Sequence, residues 1–173
     1  MLPLLKDILD NKEDAYARAL AAAEEEISRS GGNWFGVGAK GSFLLLRSGT
    51  YVDPIQGSPY ARAGQELLNA ALSAAKDETS LEAHLLHFLA GCALAGAEPD
   101  SGRLRRATDE FGHSDMGRNG LADWCPDWCR ILLASAAMET GDDRASRAHF
   151  KHVADRDPAR AAAMFERWTG RKT

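Results

Sequence analysis

Residues 131–168 constrain the fold more than any other stretch, because they contain amphipathic segments separated by short, clearly marked turns. Apolar residues recur there every three or four positions, which is the period of a helix that buries one face. The first turn is Thr140-Gly141-Asp142-Asp143, and the second is Arg156-Asp157-Pro158. Glycine allows the left-handed backbone that ends a helix, and proline cannot continue one. The stretch therefore predicts three consecutive helices.

The rest of the chain also favours helices. Residues 2–29 are predicted to be helical, with the main run at 15–28 after a short segment at 4–9. Further helices are predicted at 34–47, 58–76, 79–96 and from 99 to about 111, with loops at 51–57 and 112–123. The apolar run at 43–46 fits a strand as well as a helix, but a single strand would have no pairing partner. The whole chain of 173 residues is thus expected to form one all-α domain of about seven helices in antiparallel pairs.

Residues 131–158 resemble a tetratricopeptide repeat. Leu133, Ala134 and Ala136 match its first helix, Gly141-Asp142 its turn, Phe150 its second-helix aromatic and Asp157-Pro158 its exit. The chain departs from the family at Ser146, where the repeat has alanine, and at Asp143 and Arg147, which replace apolar positions. The match covers one repeat, with a weaker echo between residues 89 and 111. The resemblance implies stacked helix pairs towards the C-terminus and a role in binding other proteins.

Composition and charge narrow the class of protein. The formal net charge of -4 argues against general nucleic-acid binding, which needs a strongly positive surface. No apolar run approaches the roughly 20 residues of a membrane span, and the first residues are too soon charged for a signal peptide. An odd cysteine number, 3, fits a reducing cytoplasm. Frequent alanine and arginine hint at a GC-rich bacterial genome.

Two patterns invite a catalytic interpretation. Gly36-Val-Gly-Ala-Lys-Gly41 has the spacing of a dinucleotide-binding loop, but no strand precedes it, so a flexible loop or a close helix crossing is favoured. Cys125, Cys129, His149 and His152 would be possible zinc ligands if their two helices were neighbours, although packing is the commoner role of such residues. We predict neither metal nor cofactor. The alternative function is a small metal-dependent or nucleotide-using enzyme.

The favoured function is non-catalytic binding of a partner protein. A compact cytoplasmic protein of paired helices is similar in type and size to some bacterial immunity proteins, which bind and occlude a toxin domain. Tryptophan, tyrosine and arginine dominate binding hot spots. The predicted contact residues flank the two long loops and are Trp124, Trp128, Arg130, Arg118, Tyr51 and Tyr60. Self-association is a further possibility.

Overall fold

A computed structural model describes residues 1–97, 101–139 and 141–169 of the chain. These residues form nine α-helices and one 3₁₀ turn, Ala122–Trp124, and none of them forms a β-strand. The helices, numbered in chain order, are α1 (Leu2–Leu9), α2 (Ala15–Arg29), α3 (Trp34–Ser48), α4 (Pro54–Ala74), α5 (Leu81–Gly96), α6 (Ser101–Ser114), α7 (Asp127–Glu139), α8 (Asp143–Ala154) and α9 (Pro158–Thr169). The all-α prediction is confirmed, while the expected number of about seven was too low.

The chain divides into two compact units, Met1–Trp124 and Cys125–Thr173. We call them the N-terminal and C-terminal units. This division by itself does not separate one folding domain from two, so the single-domain expectation stays a prediction. No helix in the described ranges is long and apolar enough to cross a membrane.

In the N-terminal unit, α3 packs against α2, α4 and α5, and α5 packs in turn against α6. The glycines of α3 make this central position possible. A Cβ atom added to Gly41 would lie 2.8 Å from the carbonyl oxygen of Gly64 on α4, and one added to Gly64 would lie 2.8 Å from that of Gly41. The two helices therefore meet backbone to backbone. The Gly36–Gly41 motif is a close helix crossing and not a phosphate-binding loop.

The C-terminal unit consists of α7, α8 and α9, each packed against the other two. Its core contains Ile131, Ala134, Val153, Ala161 and Phe165, with Phe150 packed at the edge. Asp142 caps α8 by accepting a hydrogen bond from the Ala145 N–H at 2.9 Å, and Gly141 has a φ of 79°. The predicted order of three helices and two turns is confirmed, although Thr140 lies outside the described residues.

The start of α4 differs from the sequence prediction. Residues 51–57 were expected to be a loop followed by a helix at Ser58-Pro59, but the helix begins at Pro54. The Asp53 carboxylate accepts a hydrogen bond from the Ile55 N–H at 2.9 Å, and proline suits the first helical position. Asp53-Pro54 thus starts the helix one turn early, and Pro59 lies inside it. Similarly, α5 was predicted from residue 79, but it begins at Leu81 with Ser80 as its cap.

Candidate functional site

The turn between α3 and α4 presents the most unusual surface of the N-terminal unit. Val52 is 102% exposed and Ile55 is 82% exposed, beside the partly buried Tyr51 and Tyr60. We call these four residues, together with Arg47, the α3–α4 corner. Soluble proteins rarely expose several large apolar side chains in one place unless these side chains take part in an interaction. The corner is therefore the candidate binding site.

Backbone and hydroxyl hydrogen bonds hold the turn in place. The Thr50 hydroxyl donates to the Arg47 carbonyl at 2.8 Å, and the Ser48 hydroxyl donates to the Leu45 carbonyl at 2.6 Å. Behind the turn, a Cβ atom on Gly57 would lie 2.7 Å from the Ser48 carbonyl oxygen, so the first turn of α4 sits directly against the end of α3. The exposed side chains thus project from a fixed support.

The aromatic part of the corner is preorganised. The rings of Tyr51 and Tyr60 stack with centroids 5.3 Å apart and an interplanar angle of 12°. The guanidinium carbon of Arg47 lies 4.7 Å from the Tyr60 ring centroid, which is cation–π distance. Because these rings are already ordered, a partner that binds them loses little additional side-chain entropy.

Hydrogen bonding splits the acidities of the two tyrosines. The Tyr60 hydroxyl, and secondarily Arg47, stabilise the phenolate of Tyr51 and lower its pKa. The same bond to Tyr51 raises the pKa of Tyr60. Arg47 also acts on Tyr16 of α2: burial raises the pKa of Tyr16 to about 12, and the Arg47 charge opposes that rise. All 3 tyrosines of the chain thus interact electrostatically with one arginine.

The corner has the chemistry of a binding surface. It offers apolar side chains, two ring faces and phenolic hydroxyls, but neither a nucleophile paired with a base nor a group of metal ligands. Tyr51 and Tyr60, which the sequence predicted as contact residues, are brought together here. Arg47, Val52 and Ile55 were missed. Val52 and Ile55 flank Asp53-Pro54, so an apolar pair around a helix start was the available pattern.

The other predicted contact residues are placed less favourably. Trp124 and Trp128 are partly exposed, and Arg118 is exposed. Arg130 is only 6% exposed, so its guanidinium does not provide the surface contact that we expected from its position beside Trp128. Arginine carries a long aliphatic stem that packs well in an interior, and the sequence pattern did not distinguish this role from an exposed one.

The residues considered as metal ligands all belong to the C-terminal unit, and they are Cys125, Cys129, His149 and His152. A hydrogen bond from Cys129 lowers the pKa of Cys125, and both thiols are buried. Burial, followed by repulsion from Arg130, lowers the pKa of His149. Among the side chains that the structure describes, no group of three or more His, Cys, Asp or Glu residues is arranged to hold a metal ion.

A histidine cluster joins α5 and α6 in the N-terminal unit. His87 Nδ1 lies 2.6 Å from Glu110 Oε2, and the His87 and His113 ring centroids are 5.2 Å apart. His84 Nδ1 lies 3.0 Å from the His113 carbonyl oxygen. These contacts join the Nδ1 atoms of two α5 histidines to oxygen atoms of α6, and we interpret the cluster as a structural link.

Comparison with known proteins gives no assignment: no protein-family model, curated protein or solved structure matches this chain.

Proposed function

We propose that this chain is a non-catalytic protein-binding module, and specifically a bacterial immunity or adaptor protein that binds and masks a partner protein. The observation that carries the proposal is the α3–α4 corner, where Val52 and Ile55 are 102% and 82% exposed beside a stacked tyrosine pair. Apolar anchors next to tyrosine rings form the centre of many protein interfaces. The proposal includes a cytoplasmic location, which rests on the cysteine composition.

The proposal also includes antiparallel helix pairs with a tetratricopeptide-like arrangement at the C-terminal end. Support comes from the contact between α7 and α8. The Ser146 hydroxyl donates to the Ala134 carbonyl oxygen at 2.8 Å, and Ala134 is fully buried. Small residues at that level let two helices approach closely. An experimental structure of the C-terminal unit would test the helix directions.

The alternative of a nucleotide-using enzyme has less support, because its motif residues lie inside α3. The Gly36 N–H is not directed at a phosphate site. It donates a hydrogen bond to the Asn33 side chain at 3.0 Å, and this bond caps the start of the helix. Turnover of a substrate by the purified protein, abolished by one point substitution, would replace our proposal with the enzymatic one.

The direct test is affinity capture of the tagged protein from its own cells, followed by a binding titration with the captured partner. We expect one stoichiometric partner, and we expect Ile55→Ser to weaken binding about tenfold or more, which is the loss typical of a buried anchor. Val52→Ser/Ile55→Ser should weaken it further. Leu81→Ser is the matched control, because Leu81 is 63% exposed on a different helix.

Two results would count against the corner as the binding site. The first is a partner that binds Val52→Ser/Ile55→Ser as tightly as the unchanged protein. The second is an equal loss in Leu81→Ser, which would indicate a general effect of exposed apolar surface. Light scattering on the purified protein tests for self-association. One defined oligomer that dissociates in Val52→Ser/Ile55→Ser would show that the partner is a second copy of this chain.

A further inference from the structure

A second surface lies in the C-terminal unit, between α8 and α9. Here an open cavity of about 390 Å³ is lined by Ser146, Arg147, Phe150, Lys151 and Phe165. We call it the α8–α9 groove. Its floor is formed by Phe150 and Phe165, whose rings meet edge to face with centroids 5.6 Å apart and an interplanar angle of 88°. Both rings also belong to the packing of the unit's core. The floor is therefore apolar and fixed.

Three polar residues line the groove. One has a hydroxyl that already forms a hydrogen bond, and the other two carry positive charges. The Ser146 hydroxyl donates to the Ala134 carbonyl oxygen at 2.8 Å, so it is used within the unit. The rim carries Arg147 and Lys151, four positions apart on α8 and both exposed. Like charges at this spacing repel each other on a helix. An anion that bridges them removes the repulsion and gains charge-assisted hydrogen bonds.

The two rim cations differ in their existing partners. Lys151 Nζ lies 2.5 Å from Asp155 Oδ2, in an exposed pair one helical turn away. Within the described parts of the chain, Arg147 forms no ion pair with a carboxylate. An exposed pair such as Lys151–Asp155 is worth little and exchanges readily. Arg147 is therefore available at once, and Lys151 becomes available when a second carboxylate competes with Asp155.

We propose that the α8–α9 groove binds an acidic peptide segment of a partner protein. One large apolar side chain of the segment enters the space above Phe150 and Phe165, and flanking carboxylates pair with Arg147 and Lys151. The volume is near the small end of the range for ligand pockets, which suits one or two side chains and not a large cofactor. This inference is independent of the α3–α4 corner, since it uses other residues and another unit.

The test uses the full-length protein and a fluorescein-labelled peptide of sequence EELFEE, followed by fluorescence anisotropy. We expect saturable binding that weakens about tenfold or more when the apolar pair is replaced, as in EESSEE, and is lost with KKLFKK. Arg147→Glu/Lys151→Glu should weaken EELFEE binding by a similar factor, and Arg147→Gln/Lys151→Gln by a smaller one. Higher salt should weaken binding without abolishing it, because the apolar contact is not screened.

The matched control is Arg62→Glu/Lys76→Glu, which makes the same change in net charge at two exposed cations of the N-terminal unit. It should leave EELFEE binding unchanged. Two results would show that the interaction is only general charge attraction and would overturn the proposal. One is equal weakening by the charge reversals in the groove and in the control variant, and the other is equal binding of EELFEE and EESSEE. The proposal would also be overturned by binding of decanoate without binding of the peptide, or by a concentration-dependent dimer that Arg147→Glu/Lys151→Glu dissolves.

Discussion

Helices α3 and α4 meet at glycines, whereas the core between α7, α8 and α9 is filled mainly by branched and aromatic side chains. At the first contact, the backbones of Gly41 and Gly64 touch, and no side chain lies between them. At the second, Ile131, Val153 and Phe165 fill the space between three helices. The two regions belong to the same all-α class but depend on opposite properties of their residues. The contact between α3 and α4 requires residues without a side chain, whereas the C-terminal core requires large apolar side chains.

The consequence of this difference is a difference in how each region responds to substitution. Removing atoms from the C-terminal core leaves a cavity, and adding atoms to the glycine contact creates an overlap. Both changes destabilise, but from opposite directions.

The largest effect is expected from Ile131→Ala in the C-terminal core. Ile131 is fully buried, so its truncation should lower the free energy of unfolding by about 2–5 kcal/mol, measured by chemical denaturation with far-ultraviolet circular dichroism. Ile55→Ala makes the same chemical change at a side chain that is 82% exposed, and it should shift stability by less than about 0.5 kcal/mol. Equal losses in the two variants would refute the buried position of Ile131.

The same denaturation curves test whether the chain is one domain. If Met1–Trp124 and Cys125–Thr173 unfold together, Ile131→Ala shifts a single transition, as the sequence-based expectation of one domain requires. If the units unfold separately, the substitution shifts one of two transitions and leaves the other in place.

The second effect concerns Gly64→Ala at the glycine contact. The added Cβ would lie 2.7 Å from the Leu45 nitrogen and 2.8 Å from the Gly41 carbonyl oxygen, so α3 and α4 must move apart. We expect a loss of about 1–3 kcal/mol in the free energy of unfolding. Gly112→Ala in α6 is the matched control, because its Cβ would have no atom within 4 Å. That variant should gain about 0.5–1 kcal/mol from helix propensity. A gain in both would disprove the close contact.

The third effect is a pH dependence carried by His149 in the C-terminal unit. Burial, and next the charge of Arg130, lowers the pKa of His149 below the ordinary histidine value of 6.5. Below that pH the unfolded chain binds a proton at this position more readily than the folded chain, so stability falls as the pH falls. We expect His149→Gln to reduce the drop in Tm between pH 7 and pH 5. An unchanged slope would contradict the lowered pKa of the partly buried His149 imidazole.

The smallest effect is a spectroscopic one at the α3–α4 corner. Tyr60→Phe removes the hydroxyl that stabilises the Tyr51 phenolate, so the pKa of Tyr51 should rise towards its usual value, followed by absorbance at 295 nm. Tyr16→Phe is the control, and it should remove the ionisation near pH 12 while leaving the earlier step unchanged. An unchanged midpoint of the Tyr51 ionisation in Tyr60→Phe would show that the two hydroxyls do not interact.

The sequence predicted helices wherever a cap or a turn marked their ends. Asn33, Asp142 and Asp157 stand at helix starts, and each accepts a hydrogen bond from the backbone three residues later. At Asp53-Pro54 and Ser58-Pro59, two helix-start patterns follow each other closely. The sequence pattern favours the second, whereas the helix begins at the first. In the folded chain, the first turn of α4 packs at Gly57 against the Ser48 carbonyl oxygen, and a local sequence pattern does not reveal this tertiary contact.

The binding surfaces were harder to predict because exposure is a property of the folded chain. Tyr51 and Tyr60 were chosen for residue type and loop position, and the fold stacked them. Arg130 was chosen on the same grounds and is buried. The α8–α9 groove depends on the distance between Phe150 and Phe165, which are fifteen positions apart in the sequence. Periodicity places each ring on a core-facing stripe and does not indicate the space left beside them.

The Gly41–Gly64 contact restricts how this sequence can vary. Replacement of glycine by any other amino acid adds at least a Cβ atom, so no conservative replacement exists for either residue. Compensation by the other residue is not available, because glycine has no atom left to remove. We therefore expect these two positions to tolerate almost no change in a saturation mutagenesis library, while Gly112 accepts many. Glycine, the amino acid with the greatest backbone freedom, thus occupies two positions at which we expect little freedom of substitution.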